Sequence, residues 1–128
     1  MLPTITAIFL SISIALGAIG THLLSNVLTP KALTTFETAT FYLLCQSIAI
    51  LCLSVSHRFA SSPILRKLLW LSFIGAVIFS GSLYLYLITK SSFLIKITPI
   101  GGVFMILTWF FVGIYLLKNR NIQEDSNP

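Results

Sequence analysis

The sequence predicts an all-α integral membrane protein, a bundle of four transmembrane helices with its N- and C-termini on the cytoplasmic side. Three observations carry that expectation. The chain has 128 residues, 56% of them hydrophobic and only 9% charged, against roughly 25% charged in a typical soluble domain. Residues 1–21, 38–56, 68–89 and 97–117 hold no charged residue and no histidine, in runs of 21, 19, 22 and 21 residues. A helix rises about 1.5 Å per residue and the hydrocarbon layer is about 30 Å thick, so each run suffices for one crossing. The third observation is where the basic residues fall. Arg58, Arg66 and Lys67 in the middle loop join Lys118 and Arg120 after the last run, against Lys31, Lys90 and Lys96 on the other face. Lys and Arg accumulate in cytoplasmic loops, which places the termini and the middle loop inside.

Span one covers about residues 3–24. Its N-terminal end lacks the basic stretch of a secretory signal and its apolar run is too long for one, so it reads as a retained span. It is rich in small residues, and Ser13, Gly17, Gly20 and Thr21 recur at spacings of three and four. Lipid supplies no hydrophobic drive for helix pairing, so small residues mark a contact face. This predicts a central position for span one. In the loop that follows, Thr34 or Thr35 is the expected N-cap, with Glu37 in the first turn where its charge suits the helix dipole.

Span two, about 36–56, carries Tyr42 and Gln46 one turn apart. Cys45 and Cys52 share a face within it and read as free thiols serving as small hydrophobes. The chain has no Cys-x-x-Cys, which excludes membrane thiol oxidoreductases. A short interfacial turn at Ser61-Ser62-Pro63 precedes span three, about 68–89, which opens with Trp70 and carries Gly75, Ser80, Gly81 and Ser82. Thr98-Pro99 reads as N-cap and first residue of span four, about 98–117, because a proline at that position gives up no hydrogen bond. Gly101 and Gly102 follow, with Trp109 mid-span. The transmembrane domain therefore covers 1–118, and 119–128 form a polar cytoplasmic tail.

Three stretches taken together, Leu16-Gly17-Ala18-Ile19-Gly20-Thr21-His22, Phe79-Ser80-Gly81-Ser82-Leu83-Tyr84 and Thr98-Pro99-Ile100-Gly101-Gly102, resemble the YgdD-like family. These are small four-span inner-membrane proteins of unknown function, with a eukaryotic branch. The resemblance covers nearly the whole chain and implies the four-span architecture. The family's usual first motif is Gly-Ala-Phe-Gly-Ala-His, where this chain has Ile19 and Thr21 in place of Phe and the second Ala. The family's span two carries Tyr-Gln and then a His, where this chain has Tyr42-Leu43 and Gln46.

The inventory of side chains excludes several functions. The net charge of +5 is scattered through short loops without a basic face, so no nucleic-acid partner is expected. The three acids, Glu37, Glu124 and Asp125, lie outside all four runs. Proton-coupled drug export needs a carboxylate inside the membrane, and Ser-His-acid catalysis needs one to orient its base. A metal site needs three or four matched ligands; His22 and two distant cysteines do not supply them, and His57 belongs to the opposite face. The expectation is a protein that is not an enzyme and carries no cofactor or metal.

His22 and Glu37 can meet across a short loop, and with Tyr42 and Gln46 they form the candidate polar or ligand site. Gly17, Gly20, Gly75, Ser80, Gly81, Ser82, Thr98, Pro99, Gly101 and Gly102 are the expected helix-packing residues, joining spans one and three in a tight core. The partners expected are the lipid bilayer and a membrane protein or second copy. The function expected is that of an accessory or assembly component of a membrane complex, or a homo-oligomer. The alternative is a small-solute or lipid-binding carrier or channel using the His22 end. The expected location is the bacterial inner membrane, or the mitochondrial inner membrane in a eukaryote.

Overall fold

The computed structural model describes residues 1–124. Four long helices, α1 (Leu2–His22), α2 (Pro30–Ser54), α4 (Pro63–Thr89) and α5 (Ser92–Glu124), are each long and apolar enough to cross a membrane. A 3₁₀ turn, Leu24–Asn26, follows α1, and a five-residue helix α3, His57–Ser61, joins α2 to α4.

The helix starts lie earlier than the apolar runs suggest, for a local reason. Thr29 is extended and its hydroxyl accepts from the Ala32 amide, with Pro30 as first helical residue. Thr34 and Thr35, the expected caps, instead donate back to the carbonyls of Pro30 and Lys31 inside the helix. Ser62-Pro63 repeats the device, Ser62 accepting from Leu65, so α4 starts five residues before the predicted span. Proline preset for the helix behind a hydroxyl cap is a start signal that hydropathy does not register.

Thr98-Pro99 does not start a helix. α5 begins at Ser92 and runs through Pro99; Thr98 donates to the Leu94 carbonyl as a residue inside a helix does. Pro99 offers no N–H to the turn before it, a loss that transmembrane helices accommodate where neighbouring groups compensate. α5 also continues through residues 119–124 of the predicted tail, and 125–128 lie outside the described residues.

α2 and α4 pack against each other, α1 packs along α2, and α5 packs along α4. Span one is thus a flank, not the centre, and the tightest approach joins spans three and four. A Cβ added to Gly101 would stand 2.5 Å from the Phe79 nitrogen and 2.6 Å from the Gly75 carbonyl oxygen. The α4 and α5 backbones are in contact there. Along α5 the buried positions Thr98, Gly101, Met105, Thr108 and Val112 step by three and four, the spacing of a left-handed helix pair. α1 distributes its small residues all around the helix and buries only Leu2, Thr6, Ser13 and Gly20.

The interior is more polar than that of a soluble protein. Among the described residues eleven buried ones are polar, all of them Ser or Thr, against ten buried hydrophobic ones. Isoleucines, phenylalanines and leucines crowd the exterior instead, because small and hydroxylated residues let helices approach while hydrocarbon outside accepts the large apolar ones. One apolar cluster, Leu2, Ile50, Leu65, Leu69 and Val112, ties all four long helices at the end that carries α3, the start of α1 and the last part of α5.

Candidate functional site in the middle of the membrane

Among the described residues, five side-chain hydrogen bonds cross between the four long helices. The Ser80 hydroxyl donates to the Ala39 carbonyl at 2.8 Å. Thr40 and Tyr84 meet at 2.8 Å; Thr40 donates to the Phe36 carbonyl, so Tyr84 donates to Thr40. Ser82 and Thr98 meet at 2.6 Å between α4 and α5. These three pairs are enclosed within the bundle and tie it together.

The other two converge on Gln46. Ser72 of α4 donates to Gln46 Oε1 at 2.9 Å, and the Trp109 indole of α5 donates to the same oxygen at 2.8 Å. An indole N–H only donates, so the atom facing it is the amide oxygen, and two donors use both of its lone pairs. The amide is thereby fixed in orientation. Its Nε2 has no partner among the described residues and is not closed off by protein.

Gln46 opens onto a groove of about 470 Å³ lined also by Tyr42, Phe79, Gly102, Met105, Ile106 and Trp109. The Tyr42 and Phe79 rings pack edge to face with centroids 4.9 Å apart. Tyr42 is the central residue of α2, and Met105 stands midway between Ser92 and Asn119. The groove therefore lies halfway along the apolar helices, at the depth where an unsatisfied N–H in a bilayer has no water to turn to. Thr108 adds a second unsatisfied group, a fully buried hydroxyl without a partner. The register that faces Ser82 with Thr98 and Phe79 with Gly101 carries Thr108 to the level of Ser72.

The four predicted site residues divide. Tyr42 and Gln46 share the groove. Glu37 lies on another flank, beside a shallow hollow lined by Gly17, Gly20, Thr21, Phe36, Thr40 and Phe41. His22 is exposed at the end of α1, and no ion pair or hydrogen bond joins it to Glu37 among the described residues. Of the predicted packing residues, Gly75, Ser80, Ser82, Thr98 and Gly101 make close interhelical contacts, and Gly20 packs on the Phe36 ring. Gly17 has Thr40 no nearer than 3.9 Å, and Gly102 meets the Phe79 ring at ordinary contact distance. Gly81 meets nothing within 4 Å because it borders an open hollow among Phe9, Leu16, Leu43 and Tyr84, and Pro99 is exposed, so neither makes a close interhelical contact.

Ser72, Phe79 and Met105 carry no sequence signal as site residues. Trp109 does, because tryptophan prefers the membrane interface and a mid-span indole N–H requires a partner.

Four long apolar helices, a hydroxyl-rich interior and a single amide at mid-membrane define a small polytopic membrane protein. The chain belongs to the family described as protein of unknown function DUF423, which matches residues 16–102. It is 36% identical over 106 residues to a UPF0382 membrane protein of Staphylococcus saprophyticus, covering 83% of this chain and 88% of that one. It is 34% identical over 113 residues to a UPF0382 membrane protein of Haemophilus influenzae, covering 85% and 87%. To the UPF0382 inner membrane protein YgdD of Escherichia coli it is 32% identical over 117 residues, covering 89% and 88%. No solved structure matches the chain. The protein is an integral inner-membrane protein of this family, the one that its sequence resembles.

Proposed function

We propose that the protein is a non-enzymatic assembly component, joined through the outer face of α1 to a transmembrane helix of a second copy or of another membrane protein. The observation that carries this reading is the placement of small residues on α1. Ser11, Ala15, Ala18 and His22 step by four, three and four, and all are exposed. At 3.6 residues per turn they lie opposite the buried stripe of Leu2, Thr6, Ser13 and Gly20. α1 thus carries two small faces, of which its own bundle uses one. A face needed only for lipid would favour the bulky residues that cover the rest of the exterior, whereas a small face suits close approach of another helix.

Both termini lie on the cytoplasmic side in this reading. Its support is the end of the bundle that holds α3, the start of α1 and the last part of α5, where Arg58, Arg66 and Lys67 accompany Lys118 and Arg120 in sequence. Carrier activity at the His22 end draws no support from the geometry, because Tyr42 and Gln46 open onto a different flank from His22.

The test is lipid-phase cross-linking. With Cys45 and Cys52 replaced by Ala, Ala15→Cys and Ala18→Cys should each give a cross-linked species in native membranes, and Ile88→Cys, at 79% exposure on α4, should not. Equal cross-linking at all three positions, or none at Ala15 and Ala18, contradicts the reading.

A further inference from the structure

We propose that the mid-membrane groove binds a neutral, lipid-soluble quinone-class molecule, whose ring carbonyl accepts a hydrogen bond from Gln46 Nε2. The proposal is independent of the assembly role of α1.

Four features narrow the occupant. The Gln46 oxygen is saturated by Ser72 and Trp109, so the amide can offer the groove only donors. Tyr42, whose hydroxyl also has no partner among the described residues, lines the same groove and brings a second donor to it. Donors in hydrocarbon call for an acceptor, and a carbonyl is the acceptor that an apolar molecule can carry there at least cost.

The lining contains no charged residue, so an ionic ligand would remain uncompensated. A phospholipid places its ester carbonyls and headgroup at the interface, about 15 Å from the midplane of a 30 Å layer, whereas this groove is central. A molecule dissolved at the midplane is the remaining lipid-phase class. The aromatic faces of Tyr42, Phe79 and Trp109 suit a flat ring rather than a flexible chain. Ile106, 71% exposed, leaves the groove open toward lipid for a tail. The volume of about 470 Å³ falls in the range of small-molecule sites, roughly 300 to 1,000 Å³. Gly102 provides part of that space: a Cβ there stands 3.6 Å from the Phe79 ring, so a larger side chain would enter the groove without striking backbone.

Trp109 is a built-in reporter. With Trp70 replaced by Phe, the full-length protein in lipid nanodiscs carries one tryptophan, and a decyl-substituted benzoquinone should quench it saturably. Decylbenzene, which lacks the carbonyls, should neither quench nor compete. Gln46→Leu should weaken binding about tenfold, the loss of one hydrogen bond. Gly102→Leu, which leaves Gln46 and its two donors in place, should abolish saturable quenching while the protein keeps its thermal stability. Quenching that is linear in quinone, that persists in Gly102→Leu, or that decylbenzene competes away equally well overturns the proposal. The last result would assign the groove to hydrocarbon chains.

Discussion

The Trp109 indole nitrogen lies 2.8 Å from Gln46 Oε1, a bond between α5 and α2, two helices that otherwise meet mainly through α4. Ser72 on α4 donates to the same oxygen, so one amide joins three helices at the bilayer centre. Interhelical hydrogen bonds in membranes average about 0.6 kcal/mol and reach about 1.7. A double-mutant cycle with Gln46→Leu and Trp109→Phe, measured by reversible unfolding in mixed micelles, should give a coupling of about 1 kcal/mol, and no coupling would show the contact to be incidental.

Adjacent glycines should behave oppositely. Gly101→Ala places a methyl 2.5 Å from a backbone nitrogen of α4, which only separation of α4 and α5 can relieve, at about 3 kcal/mol or more. Gly102→Ala meets only the Phe79 ring at 3.6 Å and should cost nothing measurable. Thermal denaturation of the two variants in one detergent makes the comparison.

Thr108 is fully buried with its hydroxyl unpaired. Thr108→Val removes that group and keeps the shape, so it should stabilise by about 1 kcal/mol, the low end of the cost of an unmet buried polar group. A destabilised valine variant would mean that the hydroxyl has a partner.

Lys90 ends α4 in the left-handed conformation, φ 55 and ψ 18, the only positive φ at a non-glycine among the described residues. Its amide donates to the Tyr86 carbonyl at 2.8 Å. Glycine adopts this cap without Cβ strain, so Lys90→Gly should stabilise by about 1 kcal/mol. The midpoint of the same unfolding transition tests it.

The four crossings are legible in the sequence because a bilayer tolerates so few charged positions that runs such as 68–89 stand out. The helix starts are not, because Thr29-Pro30, Ser62-Pro63 and Thr98-Pro99 look alike. The first two stop a preceding segment and cap a new helix, while the third lies in a continuous helix where Ser82 holds Thr98. Which small face packs is also hidden. α1 has small residues on two sides, and only tertiary structure shows that Ser13 and Gly20 turn inward while Ala15 and Ala18 turn out. Gln46 is visible as a lone mid-span amide, but its partners Ser72 and Trp109 lie 26 and 63 residues away, beyond any local pattern.

The central claim, that the outer face of α1 joins another transmembrane helix, is tested most directly by the mass of the protein released from native membranes in mild detergent. The wild-type chain should migrate as a dimer or larger complex, and Ala15→Leu combined with Ala18→Leu should reduce it to a stable folded monomer. A wild-type protein that is already monomeric and free of any stoichiometric companion would contradict the claim.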